Sequence, residues 1–380
     1  MDFEISPDQA ALMETVKSFV DERIEPRMKE IEQTNEMPED ILAEASKLGL
    51  FGVSIPEAYG GSDLNWMTRV LIHQMIGRSG FGFSGVIAAH TGIGSHGLVE
   101  LGTEEQKQRY LPRMVTGELR ASFAITEHEA GSDAGGIKTY AEKKGDRYIL
   151  NGVKCYISGG SKAGLITVIA RTNQGKENKE FSVFLVEPGF AGFRIGEVFE
   201  TMGTKGQPIC ELVFEDCEVP EENRLGEEGS GWVAAMKILN NGRTLVASRC
   251  VGACERLVEI SAEHARQRRQ FGKPIGEFQG LQFMLADMAT RTEAARWLTY
   301  KAANDIDNGK ATPTSNSMAK LYASETLAFV ADNALQIQGG AGYMSDNPVN
   351  RFYRDARITR IYEGTSEIQR MIIGRALTRH

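Results

Sequence analysis

The chain has 380 residues. One domain usually takes ~100–200, so two or three packed units are expected. Its hydrophobic content of 41% supports a large core, and its net charge of −8 argues against general nucleic-acid binding. No run of ~18 apolar residues is present to span a membrane, and the five cysteines show no C-x-x-C spacing; a reduced, cytoplasmic setting is expected rather than a disulfide scaffold.

The first element is announced by Ser6-Pro7-Asp8-Gln9, a capping-box start with proline at the first helical position. Leu12, Val16, Phe19 and Val20 then fall on one helical face. The opening "MDFEISPDQAALM" has neither the basic nor the apolar region of a signal peptide. "PEDILAEASKLGLFG" repeats the helical logic, with an acidic start after Pro38 and glycine stops. A further helix is capped by Thr103 and is expected to end near Pro112.

The texture changes near residue 119. "RASFAIT", "RYILNGVKCYIS", "LITVIART", "FSVFLVE" and "CELVFEDCEV" are short β-rich runs. Asn151-Gly152 predicts a hairpin turn between "RYIL" and "VKCYIS". From Trp232 the helical period returns. Four helices follow, beginning "GWVAAMKILNNGR", "GLQFMLADM", "TSNSMAKLY" and "GTSEIQRM", with Asn240-Asn241-Gly242 weakening the first. Short connections suggest a bundle. The expected fold is α+β, mostly α: an N-terminal helical domain over 1–118, a central antiparallel β-domain over 119–230, and a C-terminal four-helix bundle over 231–380. This order is not the alternation of a dinucleotide fold.

Several motifs fail on context. "GIGSHG" (92–97) matches G-x-G-x-x-G, yet its flanks read helical; its small residues instead suit close approach to a neighbour or ligand. "GSDAGGIKT" (131–139) misses phosphate-loop spacing by one residue and precedes β sequence, not helix. The six histidines form no H-E-x-x-H, and no metal site is expected. Cys250 and Cys254, four apart on a helix, read as small core residues.

Three stretches carry more information together than alone: "FAITEHEAGSDAGGIKT" (123–139), "RRQFGKPIGEFQ" (268–279) and "IQGGAGYMSDNPVNRFYRDARITRIYEGTSEIQR" (337–370). In this order and spacing they resemble the flavin-dependent acyl-CoA dehydrogenase family, over essentially the whole chain. The resemblance implies FAD, an acyl-CoA substrate, desaturation between its α and β carbons, electron-transfer flavoprotein as acceptor, and a homotetramer. The chemistry is consistent with a cofactor: a base can take the α-proton, but no side chain accepts a hydride.

The resemblance also implies roles for particular residues. Glu363, in Tyr-Glu-Gly-Thr, matches the base; burial would raise its pKa toward neutrality. One branch of the family carries its base on the helix of "LNNGR", where this chain has Gly242, which cannot serve. Phe123, Ile125 and Thr126 are expected along the flavin, Ser132 at the FAD diphosphate or the CoA, and Tyr156, Ile157 and Ser158 where many members have Trp-Ile-Thr. Arg268, Phe271 and Gln279 match FAD contacts from the bundle. Gln336, Gly339 and Gly340 match a segment gripping the cofactor's diphosphate or adenine, typically of a neighbouring subunit. Thr365 and Glu367 open the last helix, suited to an anionic ligand; Thr365 is also a plain cap candidate. Asn240, Arg243 and Gly364 are expected near the substrate.

Glu127-His128-Glu129 departs from the family's Glu-Pro-Gly and leaves the local backbone path open. "ILNNGR" and "AHTGIGSHGLVELG" look similar to the very-long-chain branch, and small residues at 92, 94, 95 and 97 would leave depth for a long acyl chain. That branch's membrane-associating extension is not found before His380, so a soluble enzyme is expected. Arg351, Arg354, Arg357 and Arg360, three apart, read either as a subunit contact or as a solvated, salt-bridged face. Competing functions are an acyl-CoA oxidase, an enoyl-CoA reductase, a lyase or desulfinase variant, and a non-catalytic scaffold.

Overall fold

In the computed structural model, residues 5–172 and 180–378 are described. Seven helices come first: α1 (Pro7–Phe19), α2 (Met28–Thr34), α3 (Glu39–Lys47), α4 (Trp66–Gly77), α5 (Phe81–Ala88), α6 (Ser95–Leu101) and α7 (Glu104–Val115). Ser6 and Thr103 each close a capping box, as their sequences predict. Val16, Phe19 and Val20 are buried in a core completed by α2–α5, with Leu12 packed at its edge. Pro112 does not end α7, which runs three residues further. The missing N–H removes one helical bond, and the buried Tyr110, Leu111 and Met114 hold the turn around it.

Eight strands form one sheet: β1 (Ala121–Ala124), β2 (Tyr140–Lys144), β3 (Arg147–Ser158), β4 (Leu165–Arg171), β5 (Phe181–Val186), β6 (Phe193–Phe199), β7 (Ile209–Pro220) and β8 (Arg224–Leu225). The order is β6-β7-β3-β2-β4-β5-β8, with β1 against β4. The sheet is mixed rather than purely antiparallel, because β1 and β2 both pair parallel to β4. One face packs on the N-terminal helices through Phe123, Leu165 and Val183. The other buries Tyr148, Phe184 and Phe214.

The Asn151-Gly152 hairpin is not formed. "RYILNGVKCYIS" is a single strand, β3, and the reversal lies before it, between Lys144 and Arg147. Gly152 instead sits at a bulge opposite β7. Its φ is 146°, and a Cβ there would lie 2.4 Å from the Thr139 hydroxyl. Asn151 is engaged sideways: its amide donates to Asp216 Oδ1 at 3.1 Å, and its Oδ1 accepts the Asp216 N–H at 2.8 Å. Those cross-strand bonds keep the pair inside the ladder.

The remaining chain is α8 (Gly231–Gln267), a two-strand ribbon β9 (Arg269–Gln270) and β10 (Lys273–Pro274), α9 (Gln279–Asp307), α10 (Pro313–Gln338), α11 (Pro348–Ala356) and α12 (Ser366–Thr378). α8 continues unbroken for 37 residues through Asn240-Asn241-Gly242. Packing decides here over propensity: its middle is buried against α4, α9 and α10. Cys250, Cys254, Leu257, Ala323 and Leu327 lie in this bundle core. All five cysteines are free and buried.

The arginine row binds the chain to itself. Arg351 pairs with Glu25 at 2.6 Å, and Arg354 pairs with Glu32 of α2. Beside them the buried Asp355 accepts N–H bonds from Phe81 (2.9 Å) and Thr204 (2.6 Å). One carboxylate thus ties bundle, N-terminal helices and β-domain together. Among the described residues no helix is long and apolar enough to cross a membrane.

Candidate active site

The last turn before α12 brings Glu363 and Gly364 against Arg243, with Asn240 bonded to that arginine. Glu363 adopts a left-handed backbone, φ 50°, a conformation that costs a non-glycine residue about 1–3 kcal/mol. Gly364 follows with φ 89°. Three elements hold the two carbonyls of this turn. Arg243 Nε of α8 donates to the Glu363 carbonyl at 3.4 Å. Gln369 Nε2 of α12 donates to the carbonyls of Glu363 (3.1 Å) and Gly364 (2.9 Å). Lys320 Nζ of α10 donates to the Gly364 carbonyl at 2.7 Å. Asn240, one helical turn before Arg243, accepts from its Nη1 at 3.3 Å.

The Glu363 side chain is treated differently from its backbone. Oε2 is buried and has no hydrogen-bond partner. Burial raises the carboxyl's pKa, against the pull of the cations Arg249, Lys320 and Arg243. Gly242 faces it across α8: a Cβ at that position would stand 2.5 Å from Oε2 and 3.2 Å from the Ile93 side chain. The glycine therefore supplies the space that the carboxylate occupies. Arg249 closes the other side, its guanidinium over the Tyr362 ring at 5.8 Å and donating to the Tyr362 hydroxyl at 3.3 Å. A carboxylate with one oxygen buried and unpartnered, and with raised proton affinity, can accept a proton from carbon; a solvated one is a poorer base.

A second group lies in the β-domain. Phe123, Ile125 and Ile157 are core residues by burial. Thr126 and Ser158 are half-buried, and their carbonyls take the Cys155 N–H (2.9 Å) and the Ser122 hydroxyl (2.9 Å). Tyr156 is 58% exposed at a bulge, with φ 57°. Its ring packs on Phe199 at 5.2 Å and meets the edge of His128 at 6.1 Å. Ser132 is exposed on the loop before β2.

That loop answers the question posed by Glu127-His128-Glu129. Glu127 and Ala130 exchange two backbone bonds, closing a tight turn without proline or glycine at its centre. The Glu127 carboxylate accepts from the N–H groups of Lys138 (2.6 Å) and Thr139 (3.0 Å) and from Lys154 Nζ (2.8 Å). Lys154 is fully buried and also donates to the Ile125 carbonyl at 3.0 Å. Burial pushes its ammonium down to about 8, against the attraction of Glu127. His128 bonds Glu211 at 2.6 Å.

A third group stands apart at the outer end of the bundle. Arg268, Phe271, Gln336, Gly339 and Gly340 line one open pocket of about 630 Å³, which includes no member of the Glu363 group. Gln279 is exposed at the start of α9, outside that lining. Phe271 is 93% exposed with φ 50°, and nothing lies within 4 Å of a Cβ built on Gly339 or Gly340. Open glycine backbone, an arginine and a presented aromatic fit a large, planar, anionic group.

Thr365 caps α12, accepting the Ile368 N–H at 3.3 Å, and Glu367 lies in its acidic first turn. Gly94 and Gly97 sit close against neighbouring elements. Cβ atoms there would stand 2.9 Å from Ala121 and 3.0 Å from Ile238, so these glycines let neighbouring elements close up. Among the described residues no cluster of His, Cys, Asp and Glu could hold a metal. Burial keeps His73, His90 and His96 neutral, pushing them to about 3, 4 and 4.

Sequence reasoning missed Arg249, Lys320, Gln369 and Lys154. A signal existed for Lys320: it interrupts the apolar stripe of Ala323, Leu327 and Ala331, all buried on α10.

Comparison with known proteins agrees along the whole chain. Family models for the N-terminal, middle and C-terminal domains of acyl-CoA dehydrogenases match residues 6–118, 122–217 and 229–378. Acryloyl-CoA reductase (NADH) of Anaerotignum propionicum is 42% identical over 377 residues, 99% of this chain and 95% of the relative. Butyryl-CoA dehydrogenase from Megasphaera elsdenii superposes with a TM-score of 0.96 at 37% identity, covering 100% of both chains. An acyl-CoA dehydrogenase of Bacillus anthracis, solved with FAD, gives 0.92 at 37% identity, covering 98% of this chain and 67% of the other. With three consecutive domain models matched and near-complete relatives well above 30% identity, the chain belongs to the acyl-CoA dehydrogenase family.

Proposed function

We propose that this enzyme desaturates an acyl-CoA thioester to the trans-2-enoyl-CoA, with Glu363 removing the α-proton. The observation that carries the reading is the buried Glu363 Oε2, unpartnered and raised in pKa, at the meeting of α8, α10 and α12. FAD is the cofactor, and when bound it supplies the hydride acceptor that no side chain can provide. Phe123, Ile125, Thr126, Tyr156, Ile157 and Ser158 form its β-domain wall in this reading, and Ser132 meets its diphosphate or the CoA. Arg268, Phe271, Gln279, Gln336, Gly339 and Gly340 hold its far end from a neighbouring copy in a homotetramer, with Thr365 and Glu367 nearby. The 93% exposed Phe271 supports that arrangement, since an apolar ring in solvent gains by being covered. Arg243 and Asn240 flank the CoA thioester, and the Gly364 backbone approaches its carbonyl. The domain limits in this reading are 118/119 and 230/231, supported by the change from helix to sheet after Val115 and back to helix at Gly231.

The acyl group is short in this proposal. The glycines at 94 and 97 are filled by neighbours, and two of the relatives act on three- and four-carbon acyl groups by name. Electron-transfer flavoprotein is the expected acceptor, and the setting is cytoplasmic lipid breakdown. A second direction has a specific ground in the reductase relative: the same Glu363, protonated, would return a proton to the α-carbon.

Anaerobic titration of the FAD-loaded enzyme with propionyl-, butyryl-, octanoyl- and palmitoyl-CoA tests the reading. Bleaching of the flavin by the short thioesters is expected. An enzyme that bleaches with none of them, but whose dithionite-reduced flavin is reoxidised by acryloyl- or crotonyl-CoA, is a reductase; one inert to all is a scaffold.

Gly242→Ala probes the same geometry. Its Cβ would displace Oε2, so FAD content should stay at the parent level while flavin reduction slows by about 10²-fold, the usual cost of moving a reacting group by ~1 Å. A parent-like rate would mean that the carboxylate position is not critical.

A further inference from the structure

We infer that Lys320 is a positioning residue for Glu363, pinning the left-handed turn that carries it and setting a positive charge beside its carboxyl group. This deepens the proposed role of Glu363 and rests on it.

The geometry is specific. Lys320 is fully buried on α10, among the largest fully buried side chains of the protein. Burying an ammonium is costly unless something in the native state uses its charge. Its ammonium donates to a backbone carbonyl, that of Gly364 at 2.7 Å, immediately after Glu363. The same carbonyl accepts Gln369 Nε2, so the peptide is clamped from two helices. Clamping matters because Glu363 is a non-glycine residue with φ 50°, held only as long as its surroundings over-determine it.

The charges around the turn come from each packed element. From α8 come Arg243 and Arg249, with the buried Cys250 thiol, pushed up to about 11 by burial and therefore neutral. From α12 comes Glu367, and from the turn itself Tyr362, raised by burial and neutral. Lys320 feels both Glu363 and Glu367 as attractions and Arg243 as a repulsion. Arg243 and Arg249 are spent partly on the Glu363 carbonyl, Asn240 and the Tyr362 hydroxyl. Lys320 reaches the turn from α10, opposite the two arginines of α8. Burial lowers its own pKa to about 8, so it still carries its charge at neutral pH.

Two variants separate the two parts of the role. Lys320→Gln keeps a donor for the Gly364 carbonyl and removes the charge; Lys320→Met removes both. The FAD-loaded enzymes are compared by difference infrared spectroscopy with ¹³C-carboxyl glutamate, the Glu363 band being identified by its loss in Glu363→Gln. The pH dependence of flavin reduction is followed in parallel. Removing a nearby opposite charge should raise the Glu363 titration midpoint by about one pH unit or more in both variants. Lys320→Arg should restore most of the shift. In Lys320→Met the released turn should also raise KM, whereas Lys320→Gln should not. An unchanged infrared midpoint in Lys320→Gln overturns the proposal, because a merely structural lysine would lower the melting temperature without moving that midpoint. If Lys320→Met fails to fold, Lys320→Gln decides. If Glu363→Gln reduces flavin at the parent's rate, the base assignment fails; the infrared midpoint still tests the link to Lys320 separately.

Discussion

Glu363→Gln is expected to fold, bind FAD and acyl-CoA, and lose flavin reduction by about 10²–10⁴-fold, the contribution of a positioned general base. Stopped-flow absorbance on mixing with butyryl-CoA measures it, and a rate equal to the parent's would end the assignment. The substitution is nearly isosteric, so the loss reports proton transfer and not packing. The same change should stabilise the fold at neutral pH. The native pKa of Glu363 is raised by burial above its unfolded value, so the native state holds this proton more tightly than the unfolded chain does. Stability from that difference is full below the unfolded pKa of ~4.3 and is lost as pH rises through the native pKa. The variant, which never charges, should melt higher than the parent at pH 7 and nearly equal to it at pH 4. In the proposed role of Glu363, catalysis and stability therefore oppose each other at one carboxylate.

Lys154→Met is the second change with a large expected effect. Its ammonium joins the Glu127 carboxylate and the Ile125 carbonyl, tying β3 to the loop that carries Ser132. Removing one partner leaves a charge with reduced compensation in a buried setting, a loss of about 3–5 kcal/mol in comparable pairs. Thermal melting should fall by several degrees, and FAD retention on gel filtration should fall with it. Lys154→Met combined with Glu127→Gln should recover part of the stability, since the stranded charge is then gone. If the double variant is no better than the single, the pair is not the source of the loss.

The residues that could be read from sequence are those whose local signals coincide with the structure. Capping boxes at Ser6 and Thr103 work within four residues, and the helical order around a β-rich centre follows from periodicity alone. Glu363 was identifiable through its Tyr-Glu-Gly-Thr setting, although nothing local shows that Oε2 is unpartnered. Where local and tertiary forces disagreed, the sequence misled. Asn151-Gly152 has the chemistry of a turn, yet Asp216 and Thr139 hold it in a strand. Pro112 and Asn240-Asn241-Gly242 weaken helices that packing keeps whole. The row from Arg351 to Arg360 reads as a subunit contact or a solvated, salt-bridged face; Arg351 and Arg354 are salt-bridged, but to carboxylates more than 300 positions away in the chain and largely out of solvent.

By itself, the sequence determined the class of fold, the family and the carboxylate on which the proposed chemistry turns, because these depend on patterns within short windows and on their order. Only the tertiary structure decided what surrounds that carboxylate: the gap left by Gly242, the clamp from Lys320 and Gln369, and the cations Arg243 and Arg249. Those partners are long-range contacts between helices, and the proton affinity of Glu363 is set by burial and charge at close quarters, neither of which is encoded at any single position.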